Sequence, residues 1–326
     1  MAGTDNWTAE NMPDQSGRTV VVTGANSGLG FEATRAFANR GGEVIMACRN
    51  LDRGRTARDE IREEVPDADL SVERCDLADL DSVETFTERV SDEYDELHVL
   101  CNNAGVMAVP YRETADGFEL QFGVNHLGHF ALTAGLLDLL VAADEETRVV
   151  THSSGVHERG EIDTERLVSN VASDDAEAPY DKWGAYGRSK LANVLFAYEL
   201  DRRLSAADVD VTSLTCHPGY AATDLQRRGP ELSGSKVRLW MASAANRLFG
   251  QPPERGVLPL LYAATAPDIE GGEYIGPGGL LNMRGYPERQ RSSEASYDRE
   301  LARELWDISA ELTGTTYAFD RYATEA

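Results

Sequence analysis

Short β-branched, apolar runs alternate along this chain with longer stretches whose apolar positions recur at helical spacing. Residues 18–23, 43–48, 70–75, 97–101, 148–153 and 209–216 read as strands. Between them, 28–40, 51–64, 79–93, 116–141 and 183–204 read as helices. Strictly alternating strands and helices predict an α/β fold: one doubly wound, Rossmann-type parallel sheet with helices on both faces and right-handed crossovers. No internal repeat or low-complexity linker divides the chain. Residues 1–326 are therefore expected to form a single domain, with a core over about 18–286 and a helical extension over 287–326.

Two segments break the rhythm. Residues 156–181 are long, acidic and irregular, and 221–255 start with turn residues before a helix-like run at 236–249. Long insertions of this kind are characteristically lids or binding loops, so 221–255 is the expected substrate-loop region. Trp240, Met241, Leu248 and Phe249 there would suit a lipophilic substrate, and an apolar stripe of that kind equally suits core or interface packing.

Composition narrows the setting. The 56 acidic and 31 basic residues leave a net charge of −25, and only three residues are lysines. Nucleic-acid binding is disfavoured because phosphate contacts need clustered Lys and Arg. The negative charge also disfavours a membrane surface. Acids dispersed over helical faces fit a solvated surface, and more sharply an adaptation to a high-salt cytoplasm, where screening relieves self-repulsion. No apolar run reaches the roughly 20 residues of a membrane span, and the first residues show no secretory pattern. Cys48, Cys75, Cys101 and Cys216 are scattered, as expected for buried free thiols in a reducing cytoplasm. His98, His126, His129, His152, His157 and His217 show no metal-ligand spacing, so no metal site is expected.

The candidate chemistry begins at Thr23-Gly24-Ala25-Asn26-Ser27-Gly28-Leu29-Gly30, directly after the first strand and opening the first helix. Gly24 permits a tight turn. Gly28 and Gly30 let backbone and helix approach a pyrophosphate, which the helix N-terminus attracts. Tyr186 and Lys190, four apart on a helix, share one face. A fixed ammonium beside a phenol favours the phenolate and brings a group that titrates near 10 toward working range. At the end of the second strand, where a carboxylate would bind a ribose 2′-hydroxyl, the chain has Cys48 and then Arg49, whose guanidinium suits a 2′-phosphate. That substitution predicts NADP(H) over NAD(H).

Further motifs follow in order: Asp76-Leu77, Asn102-Asn103-Ala104-Gly105, Asn125 within Val124-Asn125-His126-Leu127-Gly128, Ser153-Ser154, Tyr186-Gly187-Arg188-Ser189-Lys190, and Pro218-Gly219-Tyr220-Ala221-Ala222-Thr223. Together with the glycine turn, this set resembles the short-chain dehydrogenase/reductase family over about residues 18–286. Within it, the chain is most similar to the retinol dehydrogenase, WW-domain oxidoreductase and protochlorophyllide reductase groups. The resemblance implies that Tyr186 exchanges a proton with the substrate oxygen and that Lys190 lowers its pKa and binds the nicotinamide ribose. It implies that Ser154 hydrogen-bonds the reacting oxygen and that Asn125 holds a water linking Lys190 to solvent. Strand alternation points Ser153 to the opposite face. Gly24, Asn26, Ser27, Gly28, Leu29, Gly30, Arg49, Asp76, Leu77, Asn103, Ala104, Gly105, Tyr186, Lys190, Pro218, Gly219 and Thr223 would surround the cofactor, Asp76 and Asn103 near the adenine and its ribose.

The expected function is hydride transfer between NADP(H) and a hydroxyl or carbonyl group of a lipophilic small molecule. A nucleotide sensor or scaffold on the same fold is the rival, but such a protein has no need of Tyr186, Lys190 and Ser154 together. An epimerase or dehydratase with a tightly held cofactor fits the short C-terminal part less well. The resemblance also implies a homo-oligomer that pairs its long helices, here 116–141 and 183–204.

Overall fold

The structure, a computed structural model, describes residues 6–168, 179–219 and 251–322. Its centre is a sheet of eight strands among the described residues, in the order β3-β2-β1-β4-β5-β6-β7-β8. The strands are β1 (Thr19–Thr23), β2 (Glu43–Cys48), β3 (Leu70–Arg74), β4 (Val99–Asn102), β5 (Thr147–His152), β6 (Val211–Cys216), β7 (Tyr274–Pro277) and β8 (Pro287–Gln290). All neighbours pair in parallel except β7 and β8.

Burial on both faces explains why the central strands are almost continuously apolar. In β1, Val20 and Val22 face one core layer with Val44, Met46 and Leu214, while Val21 faces the other with Ile45, Leu100 and Val149. Side-chain alternation thus feeds both layers from one run of valines. Helices cover both layers. They are α1 (Gly28–Asn39), α2 (Leu51–Glu64), α3 (Leu80–Glu93), α4 (Leu120–Phe122), α5 (Gly128–Gly135), α6 (Leu137–Ala142), α7 (Thr164–Val168), α8 (Lys182–Ala206), α9 (Pro253–Gly256), α10 (Leu258–Thr265) and α11 (Arg299–Thr313). Their starts follow capping chemistry: Asn50, Asp79 and Asp181 accept backbone N–H groups at the heads of α2, α3 and α8.

Three expectations need correction. The sheet is not wholly parallel, because β8 follows β7 after only residues 278–286. A connection that short can return only antiparallel, since a parallel crossover needs a dozen residues or more. The extension over 287–326 therefore begins as a strand and becomes helical at α11. The single helix over 116–141 is instead α4, a π-turn at Gly123–Leu127, α5 and α6. Its first residues form a turn in which Thr114 N–H donates to Phe118 O at 2.8 Å, and the Glu119 carboxylate caps Gln121 and Phe122. In the π-turn Gly128 N–H reaches back to Gly123 O, and Leu136 (φ −105°, ψ 1°) separates α5 from α6. Residues 156–181 are not wholly irregular, since they include a 3₁₀ turn at Gly155–Arg159 and α7. The helix-like run at 236–249 lies outside the described residues.

Of the two long helices, the second is covered largely within the chain itself. In α8 every residue from Ala185 to Leu200 except Arg188 is buried, and the chain's own α11 lies against it. Trp306 of α11 packs its ring on Phe130 and Phe196 at 5.0 and 5.8 Å between centroids, and Arg203 lies over it at 4.5 Å. Ser309 Oγ meets His126 Nε2 at 2.8 Å.

Candidate active site

The order of strands reverses between β1 and β4, which opens a crevice at their carboxyl ends. One cleft there is lined by Gly24, Asn26, Ser27, Gly28, Leu29, Arg49, Asp76, Leu77, Asn103, Ala104 and Gly105. These residues come from the ends of four strands, so the topology, rather than any local sequence, gathers them. Gly24 and Gly28 adopt φ of 68° and 57°, a region that L side chains avoid. Gly30 stands behind the turn, where an added Cβ would lie 2.4 Å from Gly24 O and 2.7 Å from Asn103 Nδ2. Ser27 is the N-cap of α1 but makes no side-chain cap bond, leaving first-turn N–H groups available to an anion. A dinucleotide pyrophosphate fits this cradle.

Arg53 and Asn50 also line the cleft, and sequence reasoning missed both. The signal was present: Arg49 and Arg53 are four residues apart where α2 begins, so the two guanidinium groups reach one mouth. Neither has an ion-pair partner among the described residues. Asp76 does not cap α3. Its Oδ1 accepts Ala78 N–H at 3.2 Å, and Asp79 is the cap. Asn103 lines the cleft, but its carboxamide is committed elsewhere. Nδ2 donates to Thr23 O at 2.9 Å, and Oδ1 lies 3.1 Å from His152 Nδ1. That side chain ties β1 to β5.

Tyr186 and Lys190 sit in the first turns of α8, buried at 4% exposure each. The Lys190 ammonium is 5.9 Å from the centre of the Tyr186 ring and donates to His152 O at 2.9 Å. Asn193 Nδ2 donates to the same carbonyl, and Ser153 Oγ donates to Lys190 O at 2.8 Å. Ser153 is thus spent on holding α8 to β5. Ser154 points the other way, where its hydroxyl meets the Tyr186 phenol. Gly160 makes this proximity possible. A Cβ on Gly160 would lie 2.4 Å from Gly187 O, so the loop after Ser154 rests on bare helix backbone.

Burial dominates the electrostatics. It pushes the Tyr186 phenol up to about 12, offset in part by the Ser154 hydroxyl, and lowers Lys190 to about 8. Both groups leave water on entering the protein, and desolvation is the largest cause of each shift. At neutral pH Tyr186 is a proton donor beside a partly desolvated ammonium.

Asn125 lies in the π-turn, and its carboxamide ties that turn to Val106 and Ser189. Oδ1 accepts Val106 N–H at 2.7 Å, while Nδ2 donates to Val106 O and Ser189 Oγ at 2.9 Å each. Its carbonyl accepts from His129 Nδ1 at 3.1 Å. A Cβ on Gly105 would lie 3.0 Å from Asn125 Oδ1 and 3.7 Å from Lys190 Nζ, so the three residues do converge. Pro218 and Gly219 follow β6, with Gln251 Nε2 donating to Pro218 O at 2.7 Å. Thr223 and most of the 221–255 segment lie outside the described residues. The four cysteines are buried and free. Among the described residues no three His, Cys, Asp or Glu side chains converge as a metal site.

Comparison with known proteins agrees with this geometry. Residues 18–165 match the short chain dehydrogenase family model. Retinol dehydrogenase 13 of Mus musculus is 40% identical over 93% of this chain and 85% of its own length. The polyprenol dehydrogenase of Homo sapiens is 35% identical over 93% and 87%. Among solved structures, an uncharacterised protein from Mycobacterium paratuberculosis superimposes with a TM-score of 0.75 and 39% identity, covering 95% of this chain and 98% of that one. A Shigella flexneri short chain dehydrogenase complexed with NADP shares the fold at a TM-score of 0.59 and 22% identity, covering 81% and 98%. The chain belongs to the short-chain dehydrogenase family of oxidoreductases, which act on alcohol and carbonyl groups of small molecules.

Proposed function

We propose that this protein is an NADP(H)-dependent oxidoreductase that interconverts an alcohol and a carbonyl compound on a lipophilic small molecule, with Tyr186 as general acid and base. The observation that carries the reading is the buried Tyr186 and Lys190 with the half-buried Ser154, beside a glycine-cradled cleft with two arginines at its mouth. When bound, the nicotinamide supplies or takes up the hydride. The chain's residues handle the rest. Gly24, Gly28, Gly30 and the α1 N-terminus would hold the pyrophosphate, and Arg49 with Arg53 the 2′-phosphate.

In the reducing direction Tyr186 gives its proton to the substrate oxygen, and Ser154 donates a hydrogen bond to the same oxygen, stabilising the charge that develops there. A phenol pushed up by burial is well suited to that direction at neutral pH. Lys190 holds the neighbouring positive charge and, by its bond to His152 O, keeps α8 in register with β5. The retinol and polyprenol dehydrogenases among the relatives support a long apolar substrate. A reducing, salt-rich cytoplasm is the setting we propose, supported by the four reduced cysteines and the acidic charge.

The test is cofactor-dependent reduction of retinaldehyde and a panel of aliphatic and aromatic carbonyls. The reading expects turnover with NADPH. R49A and R53A should each raise KM for NADPH by about tenfold, the loss of roughly 1.4 kcal/mol of charge-assisted bonding, with little effect on NADH. Cofactor binding without turnover of any carbonyl would favour a sensor, and equal effects on both cofactors would refute the 2′-phosphate assignment.

A further inference from the structure

Behind Ser154 lies a second layer of polar side chains for which the proposed chemistry has no use. His157 is 1% exposed. Ser293 N–H donates to its Nε2 at 3.0 Å, so that nitrogen carries no proton. The proton is therefore on Nδ1, which donates to Ser154 O at 2.7 Å, with the Tyr274 hydroxyl 3.3 Å away. On the far side of Tyr274, His217 stacks nearly parallel to its ring, 5.2 Å between centroids and 12° between planes. His217 has the opposite tautomer. Gly219 N–H donates to its Nδ1 at 3.2 Å, so Nε2 carries the proton and faces Gln290 Oε1 at 3.1 Å. Gly276 is required beneath this ring, since a Cβ there would lie 2.0 Å from His217 Nε2.

Resting on the reading above, we propose that His157 is a positioning residue for the hydride-transfer site: it fixes the Ser154 carbonyl and, through Tyr274 and His217, keeps the serine loop in register with the Pro218–Gly219 turn. Both loops emerge from strand ends, at β5 and β6, and local bonds within each loop do not tie one loop to the other. The β7–β8 hairpin supplies Tyr274 and Gln290, and the turn after β8 supplies Ser293, so the C-terminal part of the fold clamps the two loops. The clamp works only with neutral rings, and burial lowers the pKa of both histidines. Ser154 must present its hydroxyl to an oxygen also facing Tyr186, and displacements near 1 Å at such a site cost about a hundredfold in rate.

Two substitutions separate the bonds. In H157N the amide nitrogen can replace Nδ1 and still donate to Ser154 O, while the bond from Ser293 is lost. In H157Q the amide oxygen can replace Nε2 and still accept from Ser293, while the side-chain donor to Ser154 O is lost and only the backbone N–H of residue 157 still donates to it. With NADPH and retinaldehyde, H157Q should lower kcat by about 10- to 100-fold and leave KM for NADPH unchanged, and H157N should recover most of that kcat. Nitrogen-15 NMR of the intact protein reads the tautomers without any turnover, and should place the proton on Nδ1 of His157 and Nε2 of His217. Wild-type kcat in H157Q overturns the proposal. So does a proton on Nε2 of His157, or an equal loss of kcat, NADPH affinity and melting temperature in both variants. If the tautomers are as stated and the wild-type protein reduces no carbonyl, it is the oxidoreductase reading that fails.

Discussion

Lowering the pH from 7 to 5.5 acts on a group of side chains that this fold buries in their neutral form. Burial drives His126 and His152 down to about 3, and His129 and His217 down to about 4. In the unfolded chain each titrates near 6.5, so at pH 5.5 about nine in ten are protonated there, while the folded forms stay neutral. A pKa depressed by folding contributes stability that is complete above the unfolded value and is lost as pH falls toward the folded value. Over this window the loss is a little over 1 kcal/mol for each histidine and about 5 kcal/mol for the four. His98 and His157 are lowered as well and act in the same direction. A domain of ordinary stability has only about 5–15 kcal/mol to lose. Urea unfolding at pH 7 and 5.5, at one fixed high salt concentration, should show the midpoint falling steeply. Burial raises Glu32, Glu43 and Asp201, which act in the opposite direction, so the histidine loss is the larger effect only while these three offset part of it. Equal or greater stability at pH 5.5 would refute the assignment of these histidines as buried and neutral.

Other consequences are independent of those rings. G30A places a methyl group 2.4 Å from Gly24 O, where backbone cannot yield cheaply. It should cost about 1–3 kcal/mol of stability and weaken NADPH binding at least about tenfold, read by thermal unfolding and titration calorimetry; unchanged affinity would show that the turn does not cradle the cofactor. A net charge of −25 predicts that melting temperature climbs steeply from about 0.01 M to 1 M salt as the screening length shrinks from about 30 to 3 Å. An unchanged melting temperature at low salt would contradict the high-salt reading.

The legible parts of the sequence were those where burial writes a pattern. Strands such as β1 and β2 are apolar on both faces because both faces are covered, so length and β-branching suffice. Alternation also separated Ser153 from Ser154, which the structure places on opposite duties. The π-turn around Asn125 left no mark, because the apolar spacing continues through the extra residue. The β7–β8 hairpin was hidden in a glycine- and proline-rich stretch too short for periodicity. Histidines 157 and 217 could not be assigned because their partners Ser293 and Gln290 are 136 and 73 residues away. The pKa directions were likewise out of reach, since spacing shows that Lys190 neighbours Tyr186 but not that both are desolvated.

The central claim is that Tyr186 moves the proton while the rest of the cleft holds the cofactor. The most direct measurement is single-turnover reduction of retinaldehyde by bound NADPH in the wild-type protein and in Y186F. That change removes one hydroxyl and preserves the ring against Trp183. The account predicts that hydride transfer falls by about 100- to 10,000-fold while NADPH affinity and melting temperature stay at their wild-type values. Hydride transfer in Y186F at the wild-type rate would contradict it.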